Sequence, residues 1–375
     1  MAGIYFHIPF CKQACTYCDF HFSTQLGNKQ IMLDAIKKEL HLQKNYLADE
    51  EIETIYFGGG TPSILEKREL SELLEEVNIL FSVASDAEIT LEANPDNLNI
   101  SYLKDLKSLG INRLSIGIQS FFDHHLKWMN RTHTAHESEK CVLIAQDIGF
   151  NNISIDLIFG FPQLSEEEWK QNLKKAIALE VPHISSYSMA VSPKTAIAHQ
   201  IAHNKMPAIN EEESAKHFLM GKKELIAAGF DHYEISSFSK IGMQSKHNSN
   251  YWKGIPYLGI GPSAHSFNGQ ERQWNIRNNA IYINKIQENI IPAEIEKLSI
   301  SNQLNEQILT QLRMKDGINL DIFEKKFGKS YVDAVLKDAK SYLQSKMLLH
   351  TKEQYLKLST EGQLYADIIA SDLFQ

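Results

Sequence analysis

Two hydrophobic patterns alternate along the first 190 or so residues of the chain. Short apolar runs have the composition of buried strands, and the stretches between them carry apolar residues every three or four positions, as on one face of a helix. Leu70, Leu73, Leu74, Val77 and Leu80, for example, form one such stripe. The pattern predicts strands that begin near residue 4 and at 53–57, 88–92, 113–117, 153–158 and 183–187, with helices that include 28–46, 101–109, 134–148 and 165–179.

Six strands that alternate with helices predict a parallel sheet with the helices on its outside. Six units are two short of the eight that close a TIM barrel. The predicted fold class is therefore α/β, as a (β/α)6 partial TIM barrel. In sheets of this kind ligands bind at the carboxyl ends of the strands, so the functional site is expected there.

The second half of the chain has a different character. A helix is predicted at residues 211–229, and residues 246–279 are rich in Gly and Asn with little periodicity. After residue 301, three helices (302–313, 320–327, 331–343), two short strands (348–351, 354–358) and a last helix from 360 resemble a small winged-helix-like α+β domain. The predicted domains are thus 1–205, a barrel extension at 206–300, and 301–375.

Composition narrows the class of protein. The formal net charge of −8 and the mixture of Lys with Asp and Glu on the C-terminal helices argue against a nucleic-acid partner, so that domain is expected to be a packing element. No apolar run approaches the roughly 20 residues of a membrane span. With only four cysteines, a reducing, cytoplasmic setting is expected, and peripheral contact with a membrane stays open.

Three of the four cysteines, Cys11, Cys15 and Cys18, fall within eight residues directly after the first predicted strand. Three closely spaced thiolates can hold three irons of a [4Fe–4S] cluster and leave the fourth iron open to a small molecule. Structural zinc, with His7 or His21 as a fourth ligand, is the alternative, and it would fit a structural or interaction protein. A disulfide framework lacks the cysteines it needs, and Cys141 is predicted to be a buried thiol.

Further polar groups mark the ends of other predicted strands. Gly58–Gly60 leaves backbone groups uncovered by side chains, although such a run is also common in plain tight turns. Glu92, Gln119 and Asp156 lie in or just after apolar strands, where a carboxylate needs a partner. The partner would be either Arg113 or Arg131, in an ion pair, or a ligand bound at the barrel mouth.

Together these motifs resemble the radical S-adenosylmethionine (SAM) superfamily. More narrowly, HIPFC (7–11), GGGTP (58–62), LEANP (91–95), GIQS (117–120) and DLIFGFP (156–162) resemble the oxygen-independent coproporphyrinogen III oxidase family. The resemblance implies a [4Fe–4S] cluster on Cys11, Cys15 and Cys18 whose open iron binds SAM. It also implies a set of SAM-binding residues: Tyr5, Tyr17, Gly59, Gly60, Thr61, Glu92, Gln119, Arg131, Asp156 and Ala190.

Within that family the chain is similar to the branch of HemW-like heme chaperones. The decarboxylating members carry a fourth Cys two places after the third, where this chain has Phe20, and an extension before the first strand. The chain has instead the motif HNxxYW, which implies that His247, Tyr251 and Trp252 bind heme, with His265 as a weaker candidate. His199 and His203, at helical spacing, are expected on a solvated helix face.

The function implied by the resemblance is a heme chaperone that delivers heme to hemoproteins, respiratory ones among them. The alternative is the oxidative decarboxylation of coproporphyrinogen III to protoporphyrinogen IX in porphyrin biosynthesis, and whether the chain is an enzyme stays open. The implied partners are heme, recipient hemoproteins and an electron donor, and a homodimer is compatible with them.

Overall fold

The computed structural model describes residues 1–375, and six parallel strands in sequential order form its centre. Each of the first five pairs in parallel with the next, as strands joined by β–α–β connections do. Their bounds are β1 Ala2–Ile8, β2 Ile52–Gly59, β3 Val83–Ala93, β4 Arg113–Gln119, β5 Asn152–Phe159 and β6 His183–Ser188.

Helices pack on the outside of this sheet, and the apolar stripe predicted for residues 70–80 faces it. Asn-, Ser- and Thr-type caps set many of their starts, including complete capping boxes at Thr134 and Ser165. One short helix, Asp123–Trp128, was not predicted, because six residues are too few to show a period. The helices of this half are α1 Lys29–Leu42, α2 Lys67–Leu80, α3 Ile100–Ser108, α4 Asp123–Trp128, α5 Ala135–Asp147, α6 Glu166–Ala178, α7 Ala196–Ala202 and α8 Glu211–Ala227.

The sheet continues beyond the six strands on both sides. Next to β6 lie two antiparallel strands, and next to β1 lies a further parallel strand followed by three antiparallel ones. Residues 246–279, whose sequence shows little periodicity, form one helix and three strands, because the strands are too short and the helix too polar to produce a visible period. The added elements are β7 Asp231–Glu234, β8 Ser237–Ser239, α9 Lys246–Lys253, β9 Tyr257–Ile260, β10 His265–Phe267, β11 Glu271–Asn275, α10 Asn279–Gln287 and β12 Ala293–Lys297.

The C-terminal residues form a hydrophobic core of their own, separate from that of the barrel. Helices surround a three-stranded antiparallel sheet, which confirms the α/β partial barrel with a small C-terminal α+β domain. No helix in the structure is both long enough and apolar enough to span a bilayer. The C-terminal elements are α11 Ile300–Leu312, β13 Ile318–Asn319, α12 Leu320–Phe327, α13 Lys329–Asp338, α14 Lys340–Gln344, β14 Leu348–His350, β15 Tyr355–Leu358 and α15 Ala366–Asp372.

A buried carboxylate joins the added strands to the barrel. Glu39 of α1 is fully buried, and one of its oxygens accepts from Gly261 N at 2.8 Å and from the Tyr282 hydroxyl. The other oxygen accepts from Asn275 Nδ2 at 2.6 Å and from Gln43 Nε2 at 2.8 Å. Four donors on one carboxylate compensate for the loss of water and fix the position of residues 261–282 beside β1.

We expect Glu39→Ala to lower the free energy of unfolding by about 2–3 kcal/mol, because several buried donors lose their acceptor. Urea unfolding of the cluster-free protein, followed by circular dichroism, measures the change. Asp34→Ala on the exposed face of the same helix is the control, with an expected change within about 0.5 kcal/mol. Equal effects of the two substitutions would contradict the anchoring role of Glu39.

Candidate functional site

The cysteine loop and the glycine run lie side by side because they follow neighbouring parallel strands. Ile8, the last residue of β1, is paired with Gly59 of β2. Gly60 N then donates to Ile8 O at 2.9 Å, and Thr61 N donates to Phe10 O at 2.7 Å. A Cβ on Gly60 would come within 2.6 Å of Phe10 O, so only glycine permits this approach.

All three clustered cysteines line one cavity of about 340 Å³ at the carboxyl ends of the strands. The Thr61 hydroxyl donates to Cys11 Sγ at 3.3 Å, and Arg131 Nη1 donates to Cys15 Sγ at 3.5 Å. Burial raises the pKa of the Cys11 thiol, and it raises the pKa of Cys18 to about 12. Buried thiols with raised pKa values become thiolates only beside strong positive charge, which a metal cluster supplies. The three sulfurs, with donors aimed at two of them, fit a [4Fe–4S] cluster.

Glu92 lies across the cavity from the cysteine loop, at the end of β3. Its Oε1 accepts from the Tyr56 hydroxyl at 2.8 Å, and its Oε2 accepts from Gly59 N at 3.2 Å. Burial, reinforced by nearby Asp156, raises the pKa of Glu92 to about 7. A cationic partner stabilises the charged form of a carboxylate whose pKa is raised by burial, and the ammonium group of SAM is such a cation.

Asp156 and Gln119 extend the polar wall of the cavity. The Ser115 hydroxyl lies 3.3 Å from both carboxylate oxygens of Asp156, and burial raises the pKa of Asp156 to about 6. Gln119 has a φ of 65°, in the left-handed region, where the pairing of β4 with β5 shifts by one position. Such backbone strain in a side chain that lines a cavity is typical of ligand-binding positions.

Arg131 connects the cysteine loop to the strand ends. Its Nη2 donates to Asn94 Oδ1 at 2.6 Å and to Gly117 O at 2.8 Å. Its Nε is buried and has no acceptor. A buried guanidinium nitrogen without a partner is a donor available to a carboxylate or hydroxyl group in the cavity.

The cavity collects nine of the ten residues that the sequence assigns to SAM, whose binding by them stays a prediction. They are Tyr17, Gly59, Gly60, Thr61, Glu92, Gln119, Arg131, Asp156 and Ala190. Tyr5 lies outside the lining: its ring packs beside Tyr56, and its hydroxyl is 3.3 Å from His7 Nδ1. Tyr5 therefore supports the Glu92 side of the cavity from beneath.

The residues assigned to heme lie elsewhere, in α9. His247 is only 2% exposed, and its ring lies on that of Tyr56 with the centroids 4.9 Å apart. Its Nδ1 is 2.7 Å from Thr54 Oγ1, and its Nε2 is 2.7 Å from the Tyr251 hydroxyl. Burial lowers the pKa of His247 to about 3, so the ring is neutral. In this structure both ring nitrogens already have hydrogen-bond partners.

The other end of α9 contacts the C-terminal domain. The guanidinium of Arg313 lies 5.4 Å from the ring of Trp252, and Trp252 Nε1 is buried without an acceptor. At the start of the helix, the backbone N–H groups of Lys246 and His247 each donate to the Glu88 carboxylate at 3.0 Å. The structure thus separates the predicted SAM and heme residues into two places, with Tyr56 between them.

Sequence reasoning missed two residues that matter to this geometry. Tyr56 gives its hydroxyl to Glu92 and its ring face to His247, but inside an apolar strand it looks like an ordinary core residue. Asn94 accepts from Arg131, and its place directly after β3 in LEANP could have indicated it. The last two residues of β6 and the loop after it also line the cavity, at residues 187–190 and 192, as the strand-end rule alone would predict.

Comparisons with known proteins agree with the fold and with the cysteine loop. Residues 5–176 match the radical SAM superfamily, and residues 298–365 match the HemN C-terminal domain. The heme chaperone HemW of Bacillus subtilis is 34% identical over 367 residues, which cover 97% of each chain. The heme chaperone HemW of Escherichia coli is 36% identical over 266 residues, 70% of this chain and 69% of its own.

Among solved structures, the coproporphyrinogen III oxidase (HemN) of Escherichia coli, described as a radical SAM enzyme, superposes with a TM-score of 0.87. It is 22% identical, and the match covers 100% of this chain and 90% of that one. At 22% identity the match supports the fold only.

We expect Cys15→Ser to abolish the charge-transfer absorbance and the bound iron of the anaerobically reconstituted protein, because a cubane loses one of its three protein ligands. Cys141→Ser is the matched control: Cys141 is equally a free thiol, but it lies on α5, away from the cavity. Iron and sulfide analysis of both variants tests the assignment. Retention of a full cluster by Cys15→Ser would refute it.

We expect the ratio of the SAM affinities of wild type and Glu92→Gln to fall by up to about tenfold between pH 8 and pH 6. An acid whose pKa is raised to about 7 is mostly ionised at pH 8 and mostly neutral at pH 6, and the neutral form attracts an ammonium group less. Equilibrium binding of SAM to cluster-loaded protein gives the ratio. Taking the ratio removes the titration of SAM itself, and a ratio independent of pH would contradict the role of Glu92.

Proposed function

Because the chain belongs to the HemW family, within the radical SAM superfamily, we propose that it is a heme chaperone that binds heme and delivers it to hemoproteins. The observation that carries the proposal is the match to the heme chaperone HemW of Bacillus subtilis, which spans 97% of both chains. A match of that extent includes the barrel, α9 and the C-terminal domain. Phe20, which stands where decarboxylating relatives have a cysteine, supports the same assignment: it is 66% exposed at the cavity mouth.

In this proposal the cavity at the strand ends holds the resident cofactors. Cys11, Cys15 and Cys18 hold a [4Fe–4S] cluster, Glu92 binds the ammonium group of SAM, and Asp156 binds its ribose hydroxyls. The Nε of Arg131, which lacks an acceptor, supplies a further donor. When bound, the cluster with SAM supplies one-electron chemistry, and the chain's own residues orient SAM and keep the thiolates away from bulk water.

Heme is proposed to bind at the HNxxYW motif of α9, with His247 as the axial ligand and Tyr251 and Trp252 against the porphyrin. A neutral imidazole is the form that ligates iron, and burial keeps His247 neutral. The ring must first exchange a hydrogen bond for the iron, since Thr54 and Tyr251 occupy its two nitrogens. Heme binding is therefore expected to move α9 away from β2.

We extend the proposal to a cytoplasmic location and to recipients among the respiratory hemoproteins. An electron donor would reduce the cluster, a homodimer would bring two carriers together, and a peripheral contact with a membrane would bring the protein to its recipients. The location, the recipients, the electron donor, the homodimer and the membrane contact are all proposed on the basis of the similarity to HemW proteins.

We expect His247→Ala to lose the Soret shift that wild-type, cluster-loaded protein gives with added heme, whereas Tyr251→Phe should bind heme more tightly. Removing the Tyr251 hydroxyl frees Nε2 from one hydrogen bond of about 0.5–1.5 kcal/mol, equivalent to roughly 2- to 12-fold in affinity. Anaerobic titration with heme, followed at the Soret band, measures both changes. His136→Ala, an exposed histidine of α5, is the control.

An unchanged Soret titration in His247→Ala would remove His247 as the ligand, and loss of the shift in His265→Ala would transfer the role to that residue. Absence of any Soret shift in the wild type would overturn the proposed function. An anaerobic assay with coproporphyrinogen III, reductant and SAM covers the alternative activity. Product above the background of the Cys15→Ser variant would support decarboxylation instead.

A further inference from the structure

Three side chains that neither cofactor uses converge on the outside of the barrel, between α4 and α6. His124 Nε2 lies 3.1 Å from one oxygen of Glu168, and His125 Nε2 lies 3.7 Å from the other. One ligand atom from each residue lies within 4.8 Å of the other two. The donors thus come from two different helices, α4 after β4 and α6 after the neighbouring strand β5.

The positions of the two imidazoles are unusual for neighbours in a helix. Residues i and i+1 ordinarily point in directions about 100° apart, yet the rings of His124 and His125 have their centroids only 4.1 Å apart. Both face the same carboxylate. A simple ion pair with Glu168 would need only one of them.

His125 is held as metal-binding histidines are usually held, through its other nitrogen. The ring is fully buried, and its Nδ1 lies 2.9 Å from the Ser120 hydroxyl, which is 3.3 Å from Asn172 Oδ1. In this structure Nε2–H donates to the Gln163 carbonyl, 3.2 Å away, and Ser120 can also accept from Nδ1–H, the arrangement in which Nε2 is free to ligate a metal ion. This kind of support fixes the tautomer of a ligating histidine.

Glu168 is also fixed in place. Its Oε2 accepts from the backbone N–H of Ser165 at 3.1 Å and from the Ser165 hydroxyl at 2.6 Å, as part of the capping box of α6. In a tetrahedral zinc site with bonds of about 2.0–2.1 Å, ligand atoms are about 3.4 Å apart. His124 Nε2 is 3.1 Å from Oε1 of Glu168 and His125 Nε2 is 3.7 Å from Oε2, so each imidazole lies at about this distance from one carboxylate oxygen.

We propose that His124, His125 and Glu168 form a binding site for a divalent transition-metal ion of the zinc class, with water or the Gln163 carbonyl as the fourth ligand. Two imidazoles and one carboxylate are a donor set that zinc accepts. The open side of the site is at His124, which is exposed to solvent.

The location gives the ion a structural role in the cofactor site. α4 starts at Asp123, four residues after Gln119. It ends at the segment that holds the cysteine loop, where Thr16 N donates to Met129 O at 3.1 Å and Asn130 Nδ2 donates to Ala14 O at 2.7 Å. A metal ion that joins α4 to α6 restrains this helix. The bound ion therefore stabilises the loop that carries Cys11, Cys15 and Cys18.

Zn²⁺ titration of the cluster-loaded protein by calorimetry tests the site, because the loaded cluster removes the cysteines as competing ligands. We expect one site per chain in the wild type, an affinity lower by about tenfold or more in His124→Ala, and an unchanged affinity in His136→Ala. Zn²⁺ is also expected to raise the melting temperature of the wild type and of His136→Ala, but not that of His124→Ala. His124 is exposed, so its substitution leaves the core intact.

His199→Ala serves as a second control, since His199 and His203 form an exposed pair on α7. No Zn²⁺ binding by the wild type, equal binding by His124→Ala, or loss of binding in His199→Ala would each overturn the proposal. Glu168→Gln keeps an oxygen for the capping box but loses the charge, and it should bind Zn²⁺ more weakly at an unchanged melting temperature of the metal-free protein.

Discussion

The site depends on two backbone hydrogen bonds between the segments that follow β1 and β2. Gly60 N to Ile8 O and Thr61 N to Phe10 O bring the cysteine loop against the glycine run, so that thiols, glycines and Thr61 share one wall of a cavity. They form only because β1 and β2 are parallel and in register up to Gly59. Glu92, Gln119 and Asp156, which also line this cavity, are carried by the next three strands of the sheet, β3, β4 and β5.

The same strand β2 also connects the cavity at the strand ends to the HNxxYW motif of α9, where heme is proposed to bind. Tyr56, four residues before Gly60, hydrogen-bonds to Glu92 on the cavity side and lies against His247 on the other. Thr54, two residues earlier, holds His247 Nδ1, and Gly3 of β1 leaves room for the ring, since a Cβ there would come within 3.3 Å of it. A movement of α9 and a change at Glu92 would therefore both act on the same strand, β2.

The sequence predicted the fold and the cavity more fully than it predicted the surroundings of His247. The six barrel strands have strong apolar runs, and strand-end chemistry follows from parallel topology, so Cys11, Glu92 and Asp156 could be expected to lie together. The added strands within residues 257–297 could not be predicted, because strands of three to five residues carry no resolvable period. The role of Tyr56 could not be predicted either, because it depends on His247, nearly 200 residues away. The contact of His124 with Glu168 could not be predicted because it depends on how α4 and α6 pack.

The strand order has a consequence for how the protein is made. β1 leaves the ribosome before either of its two neighbours in the finished sheet, β2 and β9. Its second neighbour is synthesised only at Tyr257–Ile260, about 250 residues later. Until then one edge of the strand that leads into the cysteine loop is unpaired, and such edges readily pair with foreign strands. The strand that leads into the cysteine loop is therefore protected on both edges only after β9 has paired with it and Glu39 has anchored the residues that follow β9.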